Sequence, residues 1–216
     1  MALPYEHPLW STALGESLHP GGESLSRRLV ELCSFRKGDH VLDAGCGPGV
    51  TLGILIEMGV DAVGLDTSCH FLEMAAERGP VVKGELLSLP FGDGSLDGAV
   101  AECVLFLQDD VTRVLRELSR VLKKDGLLAV TDLFGKEGGG SLKEGHGRVR
   151  RAPDLGEIEA IFHEGGFRVE TFEDHSCFLR ECAAKLVWAG VMEGREVRCS
   201  TRGYGLWLAK NRNKFL

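Results

Sequence analysis

An α/β fold, a mostly parallel sheet with helices on both faces, is what this 216-residue sequence predicts. Three observations predict it. Short apolar runs suited to strands, near 40–46, 61–66, 81–85, 97–103 and 126–133, alternate with helical stretches near 50–58, 69–78 and 110–123. The first run climbs directly into a glycine loop, His40-Val41-Leu42-Asp43-Ala44-Gly45-Cys46-Gly47-Pro48-Gly49, and a helix opens behind it at Val50. The second and third runs each end in an acid, Asp66 and Glu85. In a sheet of this kind ligands gather at the C-terminal ends of the strands. The loops at 46–49, 66–68, 85–86 and 102–108 therefore converge on one crevice.

The first 35 residues precede the sheet. Tyr5, His7, Trp10, His19 and the turn Pro20-Gly21-Gly22 lead into an amphipathic stretch carrying Leu25, Leu29, Val30 and Leu32. In the glycine loop, positions 45, 47 and 49 lack side chains, so a ligand can lie against the backbone. The amides at the start of the helix from Val50 face the same space. Asp43, at the mouth of the first strand, suits a cationic ligand or a bond that holds the loop closed. Thr67 and Ser68 can cap the next helix, whose inner side carries Phe71, Leu72, Met74 and Ala75. Leu89-Pro90-Phe91 and the turn Gly92-Asp93-Gly94-Ser95 lead to the fourth strand. Val111, Val114, Leu115, Leu118, Val121 and Leu122 then recur at helical spacing, with Asp109 or Asp110 as cap and Lys123 and Lys124 at the C-terminal dipole end. Gly126 ends this helix, and Leu127-Leu128-Ala129-Val130 reads as a buried parallel strand.

Beyond residue 134 the pattern changes. Gly135 to Arg151 is too rich in glycine for a helix and reads as a loop, with Lys136, Lys143, Arg148, Arg150 and Arg151 against Glu137 and Glu144. Such a loop serves as a lid that draws in an anionic substrate, or as plain solvated surface. Pro153 to Gly165 reads as a helix, Phe167 to Phe172 as a strand, Cys177 to Val191 as an extra helix, and Gly203 to Ala209 as the last strand.

The glycine spacing narrows the ligand. A dinucleotide fingerprint needs G-x-G-x-x-G, whereas this loop reads G-x-G-x-G with Val50 at the place of the third glycine; no Gly-Lys-Ser/Thr follows to make a phosphate loop. An acid just before the loop suits an amine-bearing ligand better than one carrying phosphates. The stretch resembles motif I of class I S-adenosylmethionine-dependent methyltransferases, specifically of the small-molecule, type 11-like kind. The resemblance extends from about residue 38 to residue 134. It implies a Rossmann-like sheet of seven strands with the last antiparallel, and S-adenosylmethionine as cofactor. Asp43, Ala44, Gly45, Cys46, Gly47 and Gly49 then belong to the cofactor loop. Asp66, 23 residues past Asp43, takes the ribose hydroxyls. Thr67 stands beside it. Glu85 and Leu86 occupy the places of the adenine acceptor and its apolar neighbour, where the family more often has Asp than Glu.

Composition bounds the function. Hydrophobic content of 44% and charged content of 26% are ordinary globular values, and the net charge of −7 disfavours a broad grip on nucleic acid. No apolar run is long enough to span a membrane, and the N-terminus lacks a secretory pattern, so a cytoplasmic, membrane-free protein is expected. The seven cysteines show no ligand-like pairing, which agrees with a reduced compartment.

Catalytic residues are less legible. Methyl transfer from a sulfonium requires in-line placement above all, and a base only where the acceptor must lose a proton. Glu102, ending the fourth strand, is the candidate for orienting the acceptor, acting as base or contacting the cofactor; a structural salt bridge is the alternative. Asp132 is a lesser candidate. Tyr5, Trp10, Cys103 and Phe106 are candidates for the acceptor side, with Tyr5 and Trp10 either a lid or a packed terminal arm. The Asn/Asp-Pro-Pro-aromatic run of base-amine methylating enzymes is absent after the fourth strand. No carboxylate cluster has metal spacing, so no metal is expected. Cys46, Cys69 and Cys103 near the crevice, with Cys177, Cys182 and Cys199 further on, leave a thiol-bound acceptor such as arsenite as a minor reading. The expectation is direct methyl transfer to a small-molecule acceptor by a monomer or homodimer. The alternatives are a non-catalytic cofactor-binding sensor or partner subunit, and an NAD-dependent oxidoreductase. The chain is expected to be one domain: an arm at 1–35, a cofactor core at 36–134, the loop at 135–152 and a substrate-side part at 153–216.

Overall fold

A computed structural model describes residues 4–136, 141–143, 149–190 and 201–212. Seven strands form one sheet: β1 (His40–Ala44), β2 (Asp61–Asp66), β3 (Val81–Lys83), β4 (Leu96–Glu102), β5 (Leu122–Gly135), β8 (Phe167–Asp174) and β9 (Arg202–Asn211), in the order β3-β2-β1-β4-β5-β9-β8. The pairs β1/β2, β1/β4, β2/β3 and β4/β5 are parallel, and β9 runs antiparallel between β5 and β8. Among the described residues two further strands, β6 (Ser141–Lys143) and β7 (Val149–Arg151), pair antiparallel with each other. The Gly135–Arg151 stretch is thus not wholly a loop. Glu137, Glu144 and Arg148 lie outside the described residues.

Among the described residues seven α-helices accompany the sheet: α1 (Pro8–Leu14), α2 (Gly22–Cys33), α3 (Val50–Glu57), α4 (Cys69–Ala75), α5 (Val111–Val121), α6 (Leu155–Glu164) and α7 (Ser176–Trp188). The strands β1, β4 and β5 are buried on both faces, which explains their nearly unbroken apolar runs. On one face Leu42, Ala99, Ala101, Leu128 and Val130 pack against α5 and α6 through Leu115, Leu118, Ile158 and Phe162. On the other, Val41, Val100 and Ala129 meet α2 and α3 through Leu25, Leu29, Leu52 and Leu55. Strand order reverses between β1 and β4, so the crevice opens at the switch point where ligands bind in such sheets.

Capping follows the sequence. Asp110 accepts from the Arg113 amide at 2.9 Å to start α5. Asp154 and Glu157 form a reciprocal capping box on α6. The strand after α5 begins earlier than expected: Leu122 already pairs with Leu96, and Asp125 (φ +63) turns the chain before Leu127 resumes beside Gly98. The extra helix α7 leaves the C-terminal end of β8, on the crevice side of the sheet, and packs against α1 and β9.

Candidate functional site

The tips of β1, β2 and β3 and the loop after β4 enclose a cavity of about 270 Å³. Of the residues expected at a cofactor, Gly45, Asp66, Thr67, Glu85 and Leu86 line it together. Leu65, Gly84, Leu87, Val104 and Gln108 line it as well. Val104 and Gln108 come from the 102–108 loop, whose approach is legible in the strand order but whose inward side chains are not.

The glycine loop is held by backbone bonds: the amides of Gly45 and Cys46 both donate to the Leu65 carbonyl, at 2.7 and 3.0 Å, and Gly49 donates to Cys46 at 2.9 Å. Its three glycines do different work. A Cβ on Gly45 would strike Val104, and one on Gly49 would lie 2.8 Å from Ala75, so both are small to let protein atoms approach. Only at Gly47, with φ +50, does the missing Cβ point into open space. The Asp66 carboxylate fastens this loop, accepting from the Gly47 amide at 3.0 Å and the Ser68 amide at 2.9 Å. Each oxygen has capacity for a second donor. A tight turn, Ser88 amide to Glu85 carbonyl at 3.1 Å, sets Glu85 and Leu86 at the cavity wall.

Asp43 is buried at the tip of β1, beside Ala44, and its Oδ2 has no hydrogen-bond partner among the described residues. Burial, with the nearby Glu102 charge added, pushes its carboxyl well above the usual range, and the Leu52 amide opposes this. A buried acid oxygen with no donor is costly unless a cation or donor arrives.

Glu102 lies outside the cavity wall, at the centre of a buried hydrogen-bond cluster. Its Oε1 accepts from Thr51 at 2.5 Å and Ser26 at 2.9 Å. Its Oε2 accepts from Thr131 at 3.3 Å and lies 3.5 Å from His19 Nε2. Tyr204 donates to Thr131 at 2.9 Å, and its hydroxyl lies 3.2 Å from Cys103 Sγ. Sequence reasoning did not bring His19, Ser26, Thr51 and Tyr204 to this place, because their partners are distant along the chain.

Cys103 adopts φ +52, an uncommon backbone state for a residue with a side chain, at the point where β4 leaves the sheet. Burial raises the thiols of Cys103 and Cys46, and Cys46 packs against β2 at Gly64. Cys69 is exposed and accepts from Lys83 at 3.0 Å; Cys177 is exposed, Cys182 is buried, and Cys199 lies outside the described residues. Among the described residues no three metal-ligating side chains cluster. The Phe106 amide donates to Asp132 Oδ2 at 3.0 Å, and burial lifts the Asp132 carboxyl to about 6. The N-terminal arm reaches the crevice rim. Tyr5 and Trp10 pack with centroids 5.3 Å apart, and Glu6 accepts from Ser68, the α4 cap, at 2.5 Å.

Known proteins resemble this chain in sequence and in fold. The family model described as a methyltransferase domain matches residues 42–130. An O-methyltransferase of Aspergillus nomiae, rstn1, is 31% identical over 174 residues, spanning 74% of this chain and 77% of that protein. The crystal structure of the [4+2]-cyclase SpnF superposes with a TM-score of 0.81 at 22% identity, covering 96% of this chain and 93% of the other. A geranyl diphosphate methyltransferase in complex with SAM superposes with a TM-score of 0.76 at 16% identity, covering 88% and 85%. At those identities the two structures speak for the fold.

Proposed function

The chain belongs to the class I S-adenosylmethionine-dependent methyltransferases, and from that premise we propose which of its residues hold the methyl donor. It is an enzyme that transfers a methyl group from S-adenosylmethionine to a small-molecule acceptor. When bound, the donor supplies an activated methyl on a sulfonium, ready for direct displacement.

The observation that carries the site reading is the partnerless Asp43 oxygen, buried near the end of β1 where the chain enters the glycine loop. A ligand with a nucleoside at one end and a cationic amino acid at the other fits this arrangement. Asp66 binds the ribose hydroxyls with the lone pairs its loop bonds leave. Glu85 accepts from the adenine amino group while Leu86 packs on the ring, and Thr67 closes that end. Ala44, Gly45, Cys46, Gly47 and Gly49 shape the loop, and Asp43 faces the cationic end. Glu102, with both oxygens already engaged, works by holding neighbours in place rather than by taking a proton. Tyr5 and Trp10 on the arm, with Cys103 and Phe106 at the β4 exit, border the acceptor side, and α7 covers it. The reading keeps residues 1–216 as one domain. It places the enzyme in the cytoplasm, acting without nucleic acid or membrane, as a monomer or homodimer. Among the described residues no helix is long and apolar enough to cross a membrane.

Calorimetric titration with S-adenosylmethionine, S-adenosylhomocysteine and NADH tests the reading. Saturable binding of the two sulfur ligands alone is expected, followed by label transfer from the donor when acceptors are screened. Hydroxyl-bearing acceptors come first, because the Aspergillus relative is named an O-methyltransferase. Binding of NADH alone would overturn the proposal. Binding without transfer to any acceptor would favour a sensor.

A further inference from the structure

The buried cluster around Glu102 adds a polar link between two parts of the chain, α2 and α3, that otherwise meet through apolar packing and the exposed Arg27–Glu57 ion pair. Two of its members belong to the N-terminal arm: Ser26, on α2, donates to Glu102 at 2.9 Å, and His19 Nε2 stands 3.5 Å from the other carboxylate oxygen. A third, Thr51, stands in the first turn of α3, directly behind the Gly49 cap of the glycine loop. All of these side chains are buried. In a water-free setting a carboxylate that loses one donor is left with a charge its surroundings no longer compensate, so each donor depends on the others. Asp43, one strand away and itself without a partner at Oδ2, feels the Glu102 charge directly.

We propose that His19 and Ser26 are positioning residues for the methyl-donor site: they hold the Glu102 carboxylate, which holds Thr51 and the glycine-loop helix in register. Neither residue lines the cavity. Their influence passes through one shared carboxylate, so arm docking and donor binding favour each other by the same factor in both directions. The inference rests on the methyl-donor reading above.

The test uses the full-length protein and S-adenosylhomocysteine. Ser26→Ala is expected to weaken its calorimetric affinity by about tenfold, the loss of one charged hydrogen bond. Glu102→Gln is expected to weaken it further, and the double variant to match Glu102→Gln, because both changes cut the same path. Arg28→Ala, which severs a separate arm contact to Glu173 on the exterior, is expected to leave affinity unchanged. The wild-type chain supplies a readout that does not depend on a variant folding: the ligand should slow hydrogen exchange at the amides between residues 19 and 26. Wild-type affinity in Ser26→Ala, additive losses in the double variant, or unaltered exchange in the arm would each overturn the inference while the donor reading stands. Failure of the wild-type chain to bind either sulfur ligand would bring down the donor reading itself.

Discussion

The two sides of the crevice are built by different means. On the β1–β3 side the wall is mostly backbone: a loop of three glycines anchored on the Leu65 carbonyl, with Asp66 fastening Gly47 and Ser68. Every participant lies within a few dozen residues of the others. On the β4–β5 side the wall is held by side chains drawn from the whole chain, with Ser26 meeting Glu102 and Tyr204 meeting Thr131 and Cys103. The first side resists substitution because a backbone path leaves no room for alternatives. The second can be repacked by exchanging hydrogen-bond partners, because its contacts run between side chains.

Substitutions that add bulk or remove a fastening on the first side should therefore be the more damaging to donor binding. Gly47→Val places a branched side chain at φ +50, in the space a ligand would fill. It should weaken binding of S-adenosylhomocysteine by at least about a hundredfold in calorimetry. Near-normal affinity would break the contrast at its strongest point.

Asp132, on the second side, should matter more for stability and its pH dependence. Its carboxyl is raised from the ordinary 3.8 to about 6 because it is buried, so the folded state favours the protonated form. The stabilisation is full below about pH 4 and is lost as pH rises through about 6, a change of roughly 3 kcal/mol. In denaturant melts the stability difference between Asp132→Asn and wild type should shift across that window and stay level above pH 7. A difference that is flat from pH 4 to 7 would show that Asp132 ionises normally.

Asp66→Ala removes both the loop fastening and the proposed ribose contact. Affinity should fall about tenfold or more, with unfolding still cooperative by calorimetry. Unchanged affinity would remove β2 from the donor site.

The smallest effect is expected for Cys46→Ser. The thiol packs against Gly64 and burial holds it protonated, so the change should cost some stability, about 1–2 kcal/mol, and leave affinity within a few-fold. A loss as severe as that of Gly47→Val would instead reveal a specific role for the sulfur.

Legibility in the sequence divides along the same line. The spacing of Asp43, the glycines, Asp66 and Glu85 was readable because each consequence is local: a strand ends, a loop turns, an acid stands at the next tip. The strand–helix order and most element limits were readable for the same reason, from apolar periods and caps such as Asp110 and Asp154. The antiparallel last strand and the count of seven strands in the sheet came through resemblance. By contrast, nothing near Glu102 in the sequence says that Ser26 and Thr51 will meet it, or that Gly45 and Gly49 are small to admit Val104 and Ala75 rather than a ligand.

By itself, then, the sequence determined a doubly wound sheet with a crevice at its switch point, since apolar periodicity, glycine placement and strand-end acids act over short distances. Only the tertiary structure decided that Glu102 is a shared anchor, that Asp43 keeps an oxygen without a donor among the described residues, and that α7 packs against the arm helix α1. Those outcomes depend on which distant side chains share one dry volume, where an unmet donor or acceptor costs most and the packing of the whole chain selects its partner.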